Sequence, residues 1–186
     1  DKGSASRLVQ TLAKYGYAEK DMNTQRYRLG PHVVKLSQRL LAQMSLRDEA
    51  KPFFHKLVDS TNECAHLAIL ARGQAFYLDQ VESSATLRVN ADIGTRAPLH
   101  CTALGKALLA FGNAPVPVEL HAHTPRTIVD PELLQTHMER VRRQGYALDD
   151  EEYTIGVRCA AAPVYDISGK VVGAIGISGP ANRMTL

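Results

Sequence analysis

The sequence predicts an α+β chain whose sheet is antiparallel or mixed, preceded by a helix-and-hairpin segment and a linking helix. Strand-like runs come first side by side, are then interrupted by helical stretches, and become adjacent again near the C-terminus, a pattern distinct from the strand–helix alternation of doubly wound folds. The 186 residues are 45% hydrophobic, enough for a domain-sized core, yet no apolar run approaches membrane-spanning length. Charge is uneven. Residues 1–47 hold nine Lys and Arg against three Asp and Glu, a net +6, whereas residues 48–186 sum to −3. A nucleic-acid-facing N-terminal segment has this distribution, as does a merely solvated one.

Residues 4–15 have helical period, with Ala5, Leu8, Val9 and Leu12 on one face and Ser6, Arg7, Gln10, Thr11 and Lys14 on the other. Gly16 ends this helix. Residues 15–18 and 26–29 read as short strands around the turn-forming Asp21-Met22-Asn23-Thr24, with Arg26 and Arg28 on the return strand. Helix plus basic hairpin is half of a winged helix. Its helix would offer Ser4, Ser6, Arg7, Gln10 and Thr11 to a major groove, while Arg26 and Arg28 on the wing meet phosphate. Any amphipathic surface helix carries a similar stripe, so periodicity leaves both readings open.

Pro31 opens a helix over 32–44, apolar at Val33, Val34, Leu36, Leu40 and Leu41, that reads as a rigid connector. Ser45-Leu46-Arg47-Asp48 has capping-box form and starts a second helix reaching Ser60, with Phe53, Phe54, Leu57 and Val58 as apolar contacts and Pro52 placed to kink its first turns. Strands are expected at 64–71, 75–81 and 87–91, separated by Arg72-Gly73 and the Ser83-Ser84 region. Thr102 has the chemistry of a helix N-cap. The free N–H groups behind it, near Ala103 and Leu104, would form a compact positive end able to hold a carboxylate. Asp130-Pro131 caps a further helix ending at Gly145, and 166–169 turns the last strand pair.

Reactive residue types are plentiful but poorly arranged for catalysis. Gly176-Ile177-Ser178-Gly179-Pro180 imitates a hydrolase nucleophile elbow, yet Pro180 replaces its second glycine and no helix follows. His100 and Cys101 are sequence neighbours whose side chains are expected to diverge. His121 and His123 could ligate a metal but read as polar surface, lacking a third ligand. Asp149-Asp150-Glu151-Glu152 reads as a turn cap that stays solvated apart from Asp149. No catalytic residue, metal or cofactor is expected. Three cysteines without metal-type spacing, and no secretory leader, point to a reducing cytoplasm.

Leu99-His100-Cys101-Thr102-Ala103-Leu104-Gly105-Lys106-Ala107-Leu108-Leu109-Ala110, with Gly156-Val157-Arg158-Cys159 through to Ser178-Gly179-Pro180, resembles the ligand-sensing domain of IclR-type (isocitrate lyase regulator family) transcriptional regulators. Ser6-Arg7-Leu8-Val9-Gln10-Thr11-Leu12, Gly16-Tyr17 and Gln25-Arg26-Tyr27-Arg28-Leu29-Gly30 resemble the recognition helix and wing of the same family. The resemblance implies a GAF/PAS-like sensor domain with flanking helices over 46–186, a linker helix over 31–45 and a partial winged helix-turn-helix over 1–30. It further implies that both domains extend past this chain's ends. Positions matching Val89, Ala97, Ala103, Leu104, Asp149, Val157, Cys159, Gly176 and Ser178 would line an effector cavity.

On this reading Ala103 and Leu104 offer backbone N–H groups to a ligand carboxylate, Ser178 a hydroxyl, and Val89, Ala97 and Val157 apolar wall. A carboxylate at Asp149 repels an anionic ligand unless it accepts a hydrogen bond from a ligand hydroxyl or from water. Gly176 replaces the hydroxyl-bearing residue of relatives that take very small keto acids, leaving volume for a medium-sized acid such as an aromatic or other catabolic intermediate. The expected function is a ligand-responsive transcriptional regulator. Its partners would be operator DNA, a carboxylic acid effector and a further copy of itself in a homodimer or homotetramer, with no membrane. A small-molecule hydrolase would instead turn over its acid, and a stand-alone sensory module would show no salt-sensitive binding to promoter DNA.

Overall fold

A computed structural model describes residues 1–42 and 45–185, with the side chains of 40–42 and 45 outside that description. The chain divides into two compact units, Asp1–Asp48 and Glu49–Leu186.

In the first unit, α1 (Lys2–Lys14) is capped by Asp1, whose carboxylate accepts from the Gly3 N–H at 3.0 Å. It closes in a Schellman motif: Gly16, at φ 75°, donates to the Ala13 carbonyl, and Tyr17 donates to that of Leu12. Because the cap uses Gly16 and Tyr17, the first strand begins later than its sequence suggests. β1 (Ala18–Lys20) pairs antiparallel with β2 (Tyr27–Leu29), Ala18 opposite Leu29 and Lys20 opposite Tyr27. Asp21 holds the turn by accepting from Asn23 and Thr24 N–H groups, which keeps its carboxyl below the usual range. α2 (His32–Ala42) follows, its first residue meeting the Tyr15 carbonyl through Nδ1 at 2.6 Å. The expected extension of this helix to Met44, the contacts of Leu40 and Leu41 and the capping role of Ser45 lie outside the described residues. Leu8 and Leu12 on α1 are 62% and 40% exposed.

α3 (Ser45–Thr61) continues through Pro52 and buries Phe54. Beyond it, a six-stranded sheet forms with the order β5-β4-β3-β8-β7-β6, every neighbouring pair antiparallel. Its strands are β3 (Cys64–Ala71), β4 (Gln74–Val81), β5 (Arg96–Ala97), β6 (Ala147–Asp150), β7 (Val157–Tyr165) and β8 (Val171–Pro180). The strand expected at 87–91 is absent, and β5 takes its place in the sheet. The intervening segment satisfies its backbone through side chains instead: Ala91 N–H donates to Gln80 Oε1, and the Leu87 carbonyl accepts from Arg183.

α4 (Ala103–Phe111) is apolar on every face apart from Lys106, and every residue from Ala103 to Ala110 is buried between the sheet and α5 (Pro131–Gln144). Leu134, Met138 and Val141 form the helical stripe α5 turns inward, and Arg142 donates to the Ala110 carbonyl at 2.6 Å. Asp130 and Gly145 cap α5 as the sequence predicts, Gly145 at φ 85°. Asp166 nucleates the β7–β8 turn by accepting from Ser168 and Lys170. Among the described residues, no helix is long and apolar enough to cross a membrane.

Candidate functional site: a cavity under the start of α4

Strand register decides which side chains meet beneath α4. Asp149 on β6 stands opposite Cys159 on β7, Cys159 opposite Ser178 on β8, and Ser178 opposite Cys64 on β3. Two residues along, Ala161, Gly176 and His66 form a second row on the same face. Ala147 ends that second row beside Ala161, and further along the face is sealed by Ala68 and Ala174, all packed with α4. One face of the sheet therefore serves as core at one end and as cavity floor at the other.

The roof is the start of α4. Thr102 caps it, accepting from the Gly105 N–H at 3.1 Å and donating to the Pro98 carbonyl at 2.7 Å. That cap satisfies Gly105 and leaves the N–H groups of Ala103 and Leu104, the first two of the helix, for a guest. Between floor and roof lies a cavity of about 260 Å³.

Eight of the nine expected residues line it: Val89, Ala103, Leu104, Asp149, Val157, Cys159, Gly176 and Ser178. Ala97 does not. It is held in β5 opposite Ala75 of β4, buried away from the cavity wall. Gly176 has a packing reason beside any effect on volume: a Cβ there would strike the Ala160 carbonyl and Ala161 on β7. Sequence reasoning missed His66, Tyr77 and Tyr153 in the lining. His66 had a signal, being the one polar side chain in the otherwise apolar run Cys64-Ala65-His66-Leu67-Ala68-Ile69-Leu70-Ala71.

Burial dominates the electrostatics. Asp149 is 2% exposed and accepts from the Glu152 N–H at 2.8 Å and the Tyr153 N–H at 3.3 Å, yet burial pushes its carboxyl up to about 6. Near neutral pH such a group is mostly ionised and accepts hydrogen bonds, so the expected repulsion of an anion is relieved only as it takes up a proton toward pH 6 and below. His66 is lowered to about 4 by burial and so is neutral. Neither of its ring nitrogens makes a hydrogen bond of ordinary geometry, although the Val89 backbone stands close enough to favour the charged ring slightly, and the ring meets Tyr77 edge-on at 5.8 Å. Burial also pushes Cys159 and Cys101 up to about 12, so both are thiols and poor nucleophiles at neutral pH.

The acidic run divides differently from expectation. Asp149 caps the turn, and Asp150 is exposed enough to pair with Arg126 and Arg158. Glu152 is not solvated: it is buried against Lys106, because the turn folds it beneath α4. Nor do His121 and His123 act together. His121 is exposed beside Glu119, whereas His123 approaches His100 and Cys101, two side chains expected to diverge but in fact convergent. Gly176 to Pro180 lies wholly within β8.

In the first unit Ser4, Ser6, Arg7, Gln10 and Thr11 are all exposed on α1, and Arg26 is exposed on the hairpin. Arg28 is paired with Glu19 on the facing strand at 2.9 Å.

The family model for the bacterial transcriptional regulator IclR C-terminal domain matches residues 38–186. The chain belongs to the IclR family. Its IclR relatives include the HTH-type transcriptional regulator BhcR of Paracoccus denitrificans, 37% identical over 96% of this chain and 66% of its own length. The HTH-type transcriptional repressor AllR of Salmonella typhi is 34% identical over 96% and 68%. The chain thus spans about two thirds of the length of these relatives. The IclR of Thermotoga maritima superposes with a TM-score of 0.81 at 29% identity, covering 100% of this chain and 77% of that one. The C-terminal domain of the Escherichia coli regulator KdgR gives 0.67 at 35% identity, covering 76% and 85%. The sheet and α4 accordingly have the GAF/PAS-like architecture of IclR C-terminal domains.

Proposed function

We propose that this chain belongs to a ligand-responsive, DNA-binding transcriptional regulator. Its C-terminal unit binds a small carboxylic acid, and that binding alters operator affinity. The cavity beneath α4 is the observation that carries the reading. Two backbone N–H groups at a helix start suit a carboxylate, and the apolar wall of Val89 and Val157 suits a carbon skeleton. Volume narrows the class. A cavity of about 150 Å³ takes benzene, so about 260 Å³ suits one ring or an acid of similar bulk. His66, neutral and without a well-formed hydrogen bond of its own, suits a ligand with a second polar group, a hydroxyl or carbonyl.

Cys159 in the lining and Cys101 just outside it are protonated thiols and offer no activated nucleophile, which supports sensing over turnover. Ser4, Ser6, Arg7, Gln10, Thr11 and Arg26 are free to meet operator DNA, with Arg28 available once it leaves Glu19. The exposed Val34 and Leu36 on α2 support assembly as a homodimer or homotetramer, as paired half-sites demand. The effector then shifts populations by its preference for one arrangement over another.

Calorimetric titration with a graded panel of acids tests this reading. Saturable binding that peaks for single-ring or similar hydroxy- and keto-acids, without product formation, is the expected result. Tight binding of glyoxylate alone would overturn the assigned ligand size, and consumption of the acid would overturn the regulator.

A further inference from the structure

Just outside the cavity lining, the ligand atoms of His100, Cys101 and His123 all lie within 4.8 Å of one another. His100 and Cys101 belong to the turn that leads into Thr102, and His123 to the long loop between α4 and α5. The loop is held in place. Thr127 accepts from the N–H groups of His123 and Thr124 and donates to the Glu152 carbonyl at 2.6 Å, while Thr124 donates to that of Glu151 at 2.7 Å. The His123 ring stands between those of His100, at 6.0 Å, and Tyr153, at 4.9 Å.

We propose that His100, Cys101 and His123 form a binding site for a divalent transition-metal ion of zinc's chemistry. Two imidazoles and one thiolate are a borderline-soft set that zinc takes in tetrahedral geometry, with the fourth position open to water or another ligand. Zn–N and Zn–S bonds of ordinary length hold such atoms roughly 3.3–3.8 Å apart, a modest closure from the present arrangement. The His100 Nε2–H donates to the His121 carbonyl at 3.0 Å, so Nδ1 is the nitrogen that carries the free lone pair. The burial of His100 and Cys101 shields two ligands, and the exposure of His123 leaves a way in. The neighbouring Lys106 ammonium is already neutralised by Glu152, whose second carboxylate oxygen makes no hydrogen bond. On binding, the cation displaces the Cys101 thiol proton to solvent. The bound ion ties the loop to the residue preceding Thr102 and thereby stiffens the start of α4.

The test titrates the full chain, stripped with chelator, with Co²⁺ and then competes with Zn²⁺. One saturable site with a thiolate-to-cobalt charge-transfer band, displaced by zinc, is expected. C101S should abolish the band. H123A, at an exposed position that leaves the fold intact, should weaken zinc at least about tenfold, while H121A should leave affinity unchanged. Absence of the band, its persistence in C101S, or equal losses in H121A and H123A would overturn the site.

Discussion

The Lys106 ammonium and the Glu152 carboxylate form an ion pair inside the protein, with side chains 0% and 9% exposed. The pair joins the buried helix α4 to the turn after β6, and His137 of α5 lies 3.4 Å from the same ammonium. Removing one partner strands a charge in a low dielectric, whereas removing both restores an apolar contact. E152Q should therefore destabilise the fold by about 3–5 kcal/mol, and the double variant K106M/E152M should recover most of that loss. Urea denaturation of the parent, K106M, E152M and K106M/E152M in a double-mutant cycle, with E152Q alongside, measures it.

Asp149 makes stability and ligand affinity depend on pH. Its carboxyl ordinarily titrates at 3.8 and in the fold near 6, so between these values the folded chain holds a proton that the unfolded chain has lost. Stability contributed by this group is therefore full below about 4, declines as pH rises to about 6 and is constant above, a total on the order of 3 kcal/mol. D149N keeps the acceptor for Glu152 and Tyr153 and should flatten this segment of the pH–stability curve. Acid affinity should also fall as pH rises through 6 in the parent chain, since ionised Asp149 faces the carboxylate, and this trend should vanish in D149N. Thermal melts and calorimetry from pH 4 to 8 check both.

Gly105 is enforced by close approach. A Cβ there would press on the Pro98 carbonyl and the Thr102 hydroxyl, the two groups that make the cap. G105A should cost roughly 1–3 kcal/mol and weaken acid binding together with stability. T102A should cost about 1 kcal/mol. Differential scanning calorimetry with and without acid separates the two.

Arg7 and Arg28 should contribute unequally to DNA binding. Arg7 is exposed on α1 with one long contact to the Gly3 carbonyl at 3.5 Å, whereas Arg28 is shared with Glu19. R7A should weaken operator binding by the full-length protein and reduce its salt slope by about one, with R28A having the smaller effect. Anisotropy titrations across a salt series distinguish them.

Local chemistry was legible in the sequence, and long-range chemistry was not. Thr102, Asp130 and Gly145 punctuate helices through contacts within a few residues, so the starts of α4 and α5 and the end of α5 were readable. The alternation of Leu87, Val89 and Ala91 looks like a strand, but Asn90 meets Cys64, Leu87 meets Arg183 and Ala91 meets Gln80, partners that the local pattern cannot reveal. Glu152 read as solvent-facing for the same reason: its partner lies in a different element. His123 finds His100 and Cys101 across the loop.

Because a single face of the sheet is core at one end and cavity floor at the other, an acid bound there packs on the same strands that hold the domain together. Binding to the folded chain and not to the unfolded one should therefore raise the melting temperature in step with affinity. Heat resistance then becomes a direct index of chemical match, so a collection of metabolites can be ranked by thermal shift without any knowledge of the promoter.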